Sequence, residues 1–432
     1  MLIDFVTGLQ LDAVPDAPRR RLELLLADLA AVCVGGRPAP ASRIAVEYAQ
    51  AVHPGAQATT LLDGARVGVL GAAWANGVLA NALDFDDGHR LTKGHPGAMV
   101  VPGALAAAQL VDADADELLA AIAVGYEVAI RAGIALHDRD ASYHASGAWG
   151  AVGVAAAAAR LLGLDAQATV HAVGLAEYHA PIALIMRSVA EPAMTKDACA
   201  WGAWLGLSSA LLAARGFTSV RAQVLDAGAL EDLGRTWRLE EVYVKPYPCC
   251  RWSQGAIRAA SEAAGGRMLV AADVERVVVR TFAAADGLAK VAPTNTEEAQ
   301  YNVVWPVATV LARGDFGVAD VLGPWDDPAV AALAGRTEVH VDEELTAAFP
   351  ERRLAAVAVH LRGGEVLAAG PLEARGEPDD PDWAEVVARK VARLIDPVRD
   401  LAEPPPDSGL GDLSAGELLH VLCGRVLATV DA

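Results

Sequence analysis

Seventeen residues, Asn81-Ala-Leu-Asp-Phe-Asp-Asp-Gly-His-Arg-Leu-Thr-Lys-Gly-His-Pro-Gly97, hold three carboxylates (Asp84, Asp86, Asp87), two imidazoles (His89, His95) and a lysine (Lys93). Apolar, small-residue segments flank them, Ala72 to Leu83 before and Met99 to Leu110 after, which places the cluster at the junction of two buried helices. Charged groups in such surroundings must be paired or hydrated. Carboxylates beside imidazoles suit proton transfer, because imidazole changes charge near neutral pH. A solvated acidic connection would share the composition. Metal-ligand spacing is absent: there is no His-x-x-x-His pair and no Cys pair at zinc spacing. Asp84-Phe-Asp-Asp87 as a magnesium site lacks a phosphate-binding loop nearby.

Three more stretches carry reactive side chains. Tyr143-His144 stands just before an Ala/Gly helix, Ala148 to Leu162, where outward-pointing N–H groups favour an anion and suit a catalytic imidazole or a plain cap. The loop Ile185 to Lys196 holds Arg187 and puts Lys196 at the head of a buried helix, Asp197 to Arg215. In Lys245-Pro-Tyr-Pro-Cys-Cys-Arg-Trp-Ser-Gln-Gly255 the prolines impose an extended approach to a helix that runs to Ala264. Its Cys249–Cys250 pair has no companion ligands and reads as small buried thiols.

These stretches need elements to position them. Helical periodicity marks Pro18 to Gly35, Ser42 to Ala51, Gly71 to Ala82, Pro102 to Val111, Asp114 to Leu136 and Ala166 to Ala176. Glu127 and Arg131, four apart on one of them, are placed to pair. After Gly265-Gly266 the texture changes. Val274 to Phe282 alternates as a strand, Glu297 to Leu311 reads as one helix, Thr337 to Asp342 is a short strand, and Arg353 to Leu361 with Glu365 to Ala369 reads as a hairpin. Helices at Trp383 to Leu394 and Gly416 to Leu427 follow. The fold expected is mainly α: an all-helical domain over 1–265, completed by 400–432, and a smaller α+β domain over 266–399.

Composition bounds the partners. A chain of 432 residues exceeds the usual single core. A net charge of −20 argues against nucleic acid and anionic membrane surfaces, and an anionic substrate would need a local basic pocket. Five scattered cysteines form no disulfide framework and lack iron–sulfur spacing. With no signal-peptide pattern at the start and no apolar run read as spanning a bilayer, the expectation is a cytoplasmic protein.

The run Trp74-Ala-Asn-Gly, Asn81-Ala-Leu-Asp-Phe-Asp-Asp and His95-Pro-Gly, followed by Gly125-Tyr-Glu, Tyr143-His144, Gly216-Phe-Thr, Lys245-Pro-Tyr-Pro-Cys, Glu298-Ala-Gln-Tyr and Ala374-Arg-Gly-Glu-Pro, resembles the MmgE/PrpD family across nearly the whole chain. That family includes 2-methylcitrate dehydratase, cis-aconitate decarboxylase and iminodisuccinate epimerase. The resemblance implies a helical domain with an α+β lid, a homodimer, no organic cofactor and no metal. It also implies an inter-domain site lined by Asp84, His95, His144 and Lys196, which are expected to be catalytic; Lys93, Arg187, Arg251, Gln254 and Lys245 are expected to bind substrate. The activity implied is that of a lyase on a small anionic carboxylate, a hydro-lyase first, with decarboxylation, epimerisation or a non-catalytic binding role as alternatives. Two positions depart: Gly88 stands where decarboxylase-like members carry threonine, and Gln254 where they carry histidine. Glutamine hydrogen-bonds but does not titrate, which points away from cis-aconitate decarboxylation itself.

Overall fold

A computed structural model describes residues 1–430 except Ala227, Pro397, Pro406 and Asp407, with the side chains of the last helix described as far as Cys423. The fold is mainly α. Its centre is the helix Gly147–Leu161, buried throughout. Small residues let its neighbours approach. A Cβ on Gly153 would lie 2.3 Å from the Gly125 carbonyl of helix Ala115–Arg139, and one on Gly206 of helix Cys199–Ala213 would lie 2.5 Å from the Ala151 carbonyl. Such contact replaces side-chain volume with backbone-to-backbone packing. Helix Ala115–Arg139 is long and apolar enough to cross a membrane, yet 89% of its apolar window is buried in this fold. Its Glu127 and Arg131 do pair, both buried, and Glu127 also accepts from the backbone N–H groups of Arg238 and Leu239.

Two large apolar cores divide the molecule. The first gathers the helices up to Val244 and takes in Trp383, Val387, Val391, Leu418 and Leu419. The second runs from Cys249 to Leu367 and reaches back to Leu83, Phe85 and Val189 beside the polar loop. It is built on a four-stranded sheet in the order Thr337–Val341, Val274–Thr281, Ala355–Leu361, Val366–Leu372. The first pair is parallel and the other two antiparallel, so the expected hairpin is present, with Val359 opposite Leu367. Helix Arg251–Ala264 lies on this sheet, close enough that a Cβ on Gly255 would meet the Leu372 carbonyl at 2.9 Å.

One expected element is broken. The stretch read as a single helix from Glu297 is two, Thr296–Gln300 and Val304–Arg313. Asn302 causes the restart: its side-chain oxygen accepts from the Trp305 N–H at 2.7 Å and so caps the second helix. Within the segment 185–196, read as loop, Met186–Ala190 forms one helical turn.

Candidate active site

The helix Val69–Asn81 ends at the polar loop, which is fixed by its own charges. Asp84 adopts φ 50°, and its carboxylate lies 2.6 Å from Lys245 Nζ, which also donates to the Asp84 carbonyl at 2.8 Å. Asp86 accepts from Asn81 Nδ2 at 3.0 Å, while Asp87 accepts from the Gly97 N–H at 3.0 Å and from the Tyr126 hydroxyl at 2.7 Å. Beneath them, Lys390 pairs with Asp28 at 2.6 Å and donates to the Phe85 carbonyl at 3.0 Å. A two-residue antiparallel ladder, Gly88–His89 with Val242–Tyr243, ties the loop to the segment carrying Lys245. Left-handed backbone is costly outside glycine, and Asp84, Lys93 and Lys196 all adopt it here.

His95 is the meeting point. Nδ1 lies 2.7 Å from the Asp87 carbonyl, which fixes the proton on Nδ1 in the neutral ring and leaves Nε2 toward Asp84 (3.6 Å) and Asp197 (3.7 Å). Asp86 is 3.4 Å from Nδ1. Burial and Lys245 push the imidazole pKa down, but the three carboxylates outweigh them and hold it above the usual histidine value. Burial alone would raise Asp84, yet Lys245, His95 and Lys196 bring its carboxyl below the ordinary range. Asp197 is raised, chiefly by burial, and Asp87 is pushed up to about 7 for the same reason despite its Tyr126 hydrogen bond.

His95, Asp84 and Asp197 face a cleft at the seam of the two cores. The helical side contributes Lys93, Tyr143, Tyr243 and Lys245; the sheet side contributes Arg251, Trp252, Tyr301 and Arg353. Lys93 donates to the Ala141 carbonyl at 3.0 Å and sits 4.4 Å over the Tyr143 ring. Arg251 is bound by Glu377 at 2.8 Å. The Tyr301 hydroxyl donates to Asp197 at 3.3 Å. Asp84, Asp86 and His95 place ligand atoms within 4.8 Å of one another, as a cation site would. Lys245 already supplies the positive charge there, and Asn81 and the Asp87 carbonyl occupy the donors and acceptors.

Of the residues expected at the site, the cleft therefore gathers Asp84, His95, Lys93, Lys245 and Arg251. Four others lie outside its lining. His144 is buried with Nε2 3.5 Å from Asp140, its ring 5.5 Å from that of His137, and Nδ1 without a hydrogen-bond partner. Lys196 donates to the carbonyls of Asn81 (2.9 Å) and Ala82 (2.6 Å) and to Gln300, so it closes the end of helix Val69–Asn81 from behind the loop. Gln254 spends its amide on the carbonyls of Tyr247 and Cys249, both at 2.9 Å. Arg187 is exposed on its short helix. Sequence reasoning missed Asp197, Tyr301, Tyr243 and Arg353. Asp197 adjoins Lys196, and Tyr301 is the tyrosine of Glu298-Ala-Gln-Tyr, quoted above without a role; Arg353 sits in Glu351-Arg-Arg-Leu, which resembles any solvated turn.

The family model for the MmgE/PrpD N-terminal domain matches residues 1–230, and that for the MmgE/PrpD C-terminal domain matches residues 247–403. The chain belongs to the MmgE/PrpD family. It is 26% identical over 290 residues to a cis-aconitate decarboxylase-like protein, oryM, of Aspergillus oryzae, covering 60% of each chain. It is 25% identical over 284 residues to a cis-aconitate decarboxylase of Aspergillus terreus, covering 59% of this chain and 58% of that one. The match thus spans about three fifths of the length of these relatives. Both MmgE/PrpD halves meet at the cleft: the N-terminal match contains Asp84, His95 and Asp197, and the C-terminal match contains Arg251, Tyr301 and Arg353. Lys245 lies between the two matched ranges.

Proposed function

We propose that the protein is a cofactor-independent lyase acting on a small di- or tricarboxylate, of the dehydratase type, with the sheet-bearing region as the lid over its site. The observation that carries this reading is His95, set among three carboxylates that raise its pKa, with Nε2 turned to a cation-lined cleft. The names of the two relatives support a lyase; each is a decarboxylase or decarboxylase-like.

In dehydration, a base removes the proton next to a carboxylate, the electron pair forms the double bond, and the β-hydroxyl leaves. His95 gives its Nε2 proton to that hydroxyl, which departs as water. Asp197, its pKa raised by burial and its carboxylate 3.7 Å from His95, serves as the base, with Tyr301 orienting it. Cations on the cleft wall hold the carboxylates and stabilise the enediolate-like charge. The same acid would protonate the carbanion left by loss of CO₂.

We further take the protein to act as a homodimer. A run of rings in tilted and T-shaped contact, Tyr48, Trp74, Trp201 and Trp204, with Ile44 and Tyr48 of helix Pro40–Val52 and Trp201 exposed, supplies an apolar face for self-association.

Proton NMR in D₂O with 2-methylcitrate, citrate, cis-aconitate, isocitrate and iminodisuccinate tests the activity. Net loss of water is expected. Loss of CO₂ from cis-aconitate would replace dehydration by decarboxylation, and deuterium uptake without elimination would replace the lyase by an epimerase.

A further inference from the structure

The cations of the cleft fall into two groups. Of the three that are buried, Lys245 is neutralised by Asp84 and Arg251 by Glu377, so neither has charge to spare, whereas Lys93 and Arg90 are at least partly open to solvent. Arg353 is different. It is 8% exposed, it lines the cleft, and its Nη2 has no hydrogen-bond partner. Among the described residues no carboxylate lies within ion-pair distance of its guanidinium. Glu377, whose charge reaches it, binds Arg251 through Oε1 instead. A buried guanidinium with an unpaired N–H and no carboxylate in contact is costly, and the cost is relieved when a bound anion completes it.

The guanidinium is also held in place. It lies 4.7 Å from the centroid of the Tyr243 ring, which Arg251 approaches at the same distance. That ring occupies the space beside Gly88: a Cβ there would fall 2.3 Å from Tyr243 Cζ and Oη. The missing side chain at 88 is therefore what allows the tyrosine to support Arg353 over the cleft.

We propose that Arg353 is the specificity-determining anchor of the substrate, its guanidinium binding a carboxylate remote from the reacting carbon, with Gly88 and Tyr243 shaping that subsite. This rests on the proposed action on a di- or tricarboxylate. The guanidinium fork suits a carboxylate better than an ammonium does, so Lys at 353 keeps charge but loses geometry.

Isothermal titration with tricarballylate, a non-reacting tricarboxylate, tests the assignment on the parent, Arg353→Lys and Arg353→Met, with thermal unfolding confirming that each variant is folded. The expected result is a Kd weakened about 30-fold or more in Arg353→Met and about tenfold in Arg353→Lys, as for removing one partner of a buried charge pair. The loss should shrink with butyrate, which has no second carboxylate. A folded Arg353→Met, or Arg353→Lys where the Met variant does not fold, that binds tricarballylate within threefold of the parent overturns this anchor alone. A parent that binds no carboxylate probe overturns the functional reading beneath it.

Discussion

At the scale of single residues, the site is governed by how three carboxylates share a lysine and a histidine, with Lys196 close behind. Lys245 and His95 stand against Asp84, Asp86 and Asp197 in a buried space, and the histidine responds by holding its proton. The sign follows from the direction of that shift. A histidine whose folded pKa exceeds its unfolded value adds stability that is full below the unfolded value and fades as pH rises through the folded one. An activity that uses it as an acid should fall over that same basic range. In a pH–rate profile, His95→Gln is expected to lose about 10²-fold to 10⁴-fold in kcat and to abolish the basic limb. A basic limb that survives in the variant would assign the acid to another group. Asp84, His95 and Lys93 stood out in the sequence because carboxylates and imidazoles crowd one short run. Arg353 did not, because its importance comes from what it lacks, a partner, and only the folded chain shows that.

At the scale of elements, two-residue pieces matter as much as long helices. The ladder joining Gly88–His89 to Val242–Tyr243 brings Lys245 to Asp84 across about 160 residues of chain, and no local pattern announces it. Gly88→Ala should cost about 1–3 kcal/mol by overpacking, since its Cβ would strike the Tyr243 ring. Denaturant unfolding checks this, and Gly88→Ala combined with Tyr243→Ala should recover part of the loss if that clash is the cause. The long helices were legible because their apolar positions recur at 3.6 residues; the strand at Val274–Thr281 was legible from its alternation. Helix Arg251–Ala264 shows why packing partners were less so. It is an alanine-rich amphipathic helix like those of the first core, yet its small face lies on the sheet. The break at Tyr301-Asn302-Val303 was hidden by apolar residues on either side of a capping asparagine.

At the scale of the molecule, an early and a late helix of the chain meet beneath the polar loop. Asp28 of helix Asp16–Gly36 and Lys390 of helix Trp383–Leu394 form a fully buried pair, and the same ammonium holds the Phe85 carbonyl in the loop. Lys390→Met should destabilise the fold by about 3–5 kcal/mol, because it strands the Asp28 charge. Urea unfolding measures this, and adding Asp28→Asn should restore most of the stability; a double variant as unstable as the single would show that the lysine acts through the loop instead. The hydrogen bond from His95 Nδ1 to the Asp87 main-chain carbonyl has a separate consequence. The ring's orientation is inherited from the path of the backbone, so no side-chain exchange at position 87 removes it. If His95 is the proton donor of the proposed reaction, it stays aimed while residues of the cleft wall change, a fixed centre around which substrate preference could shift.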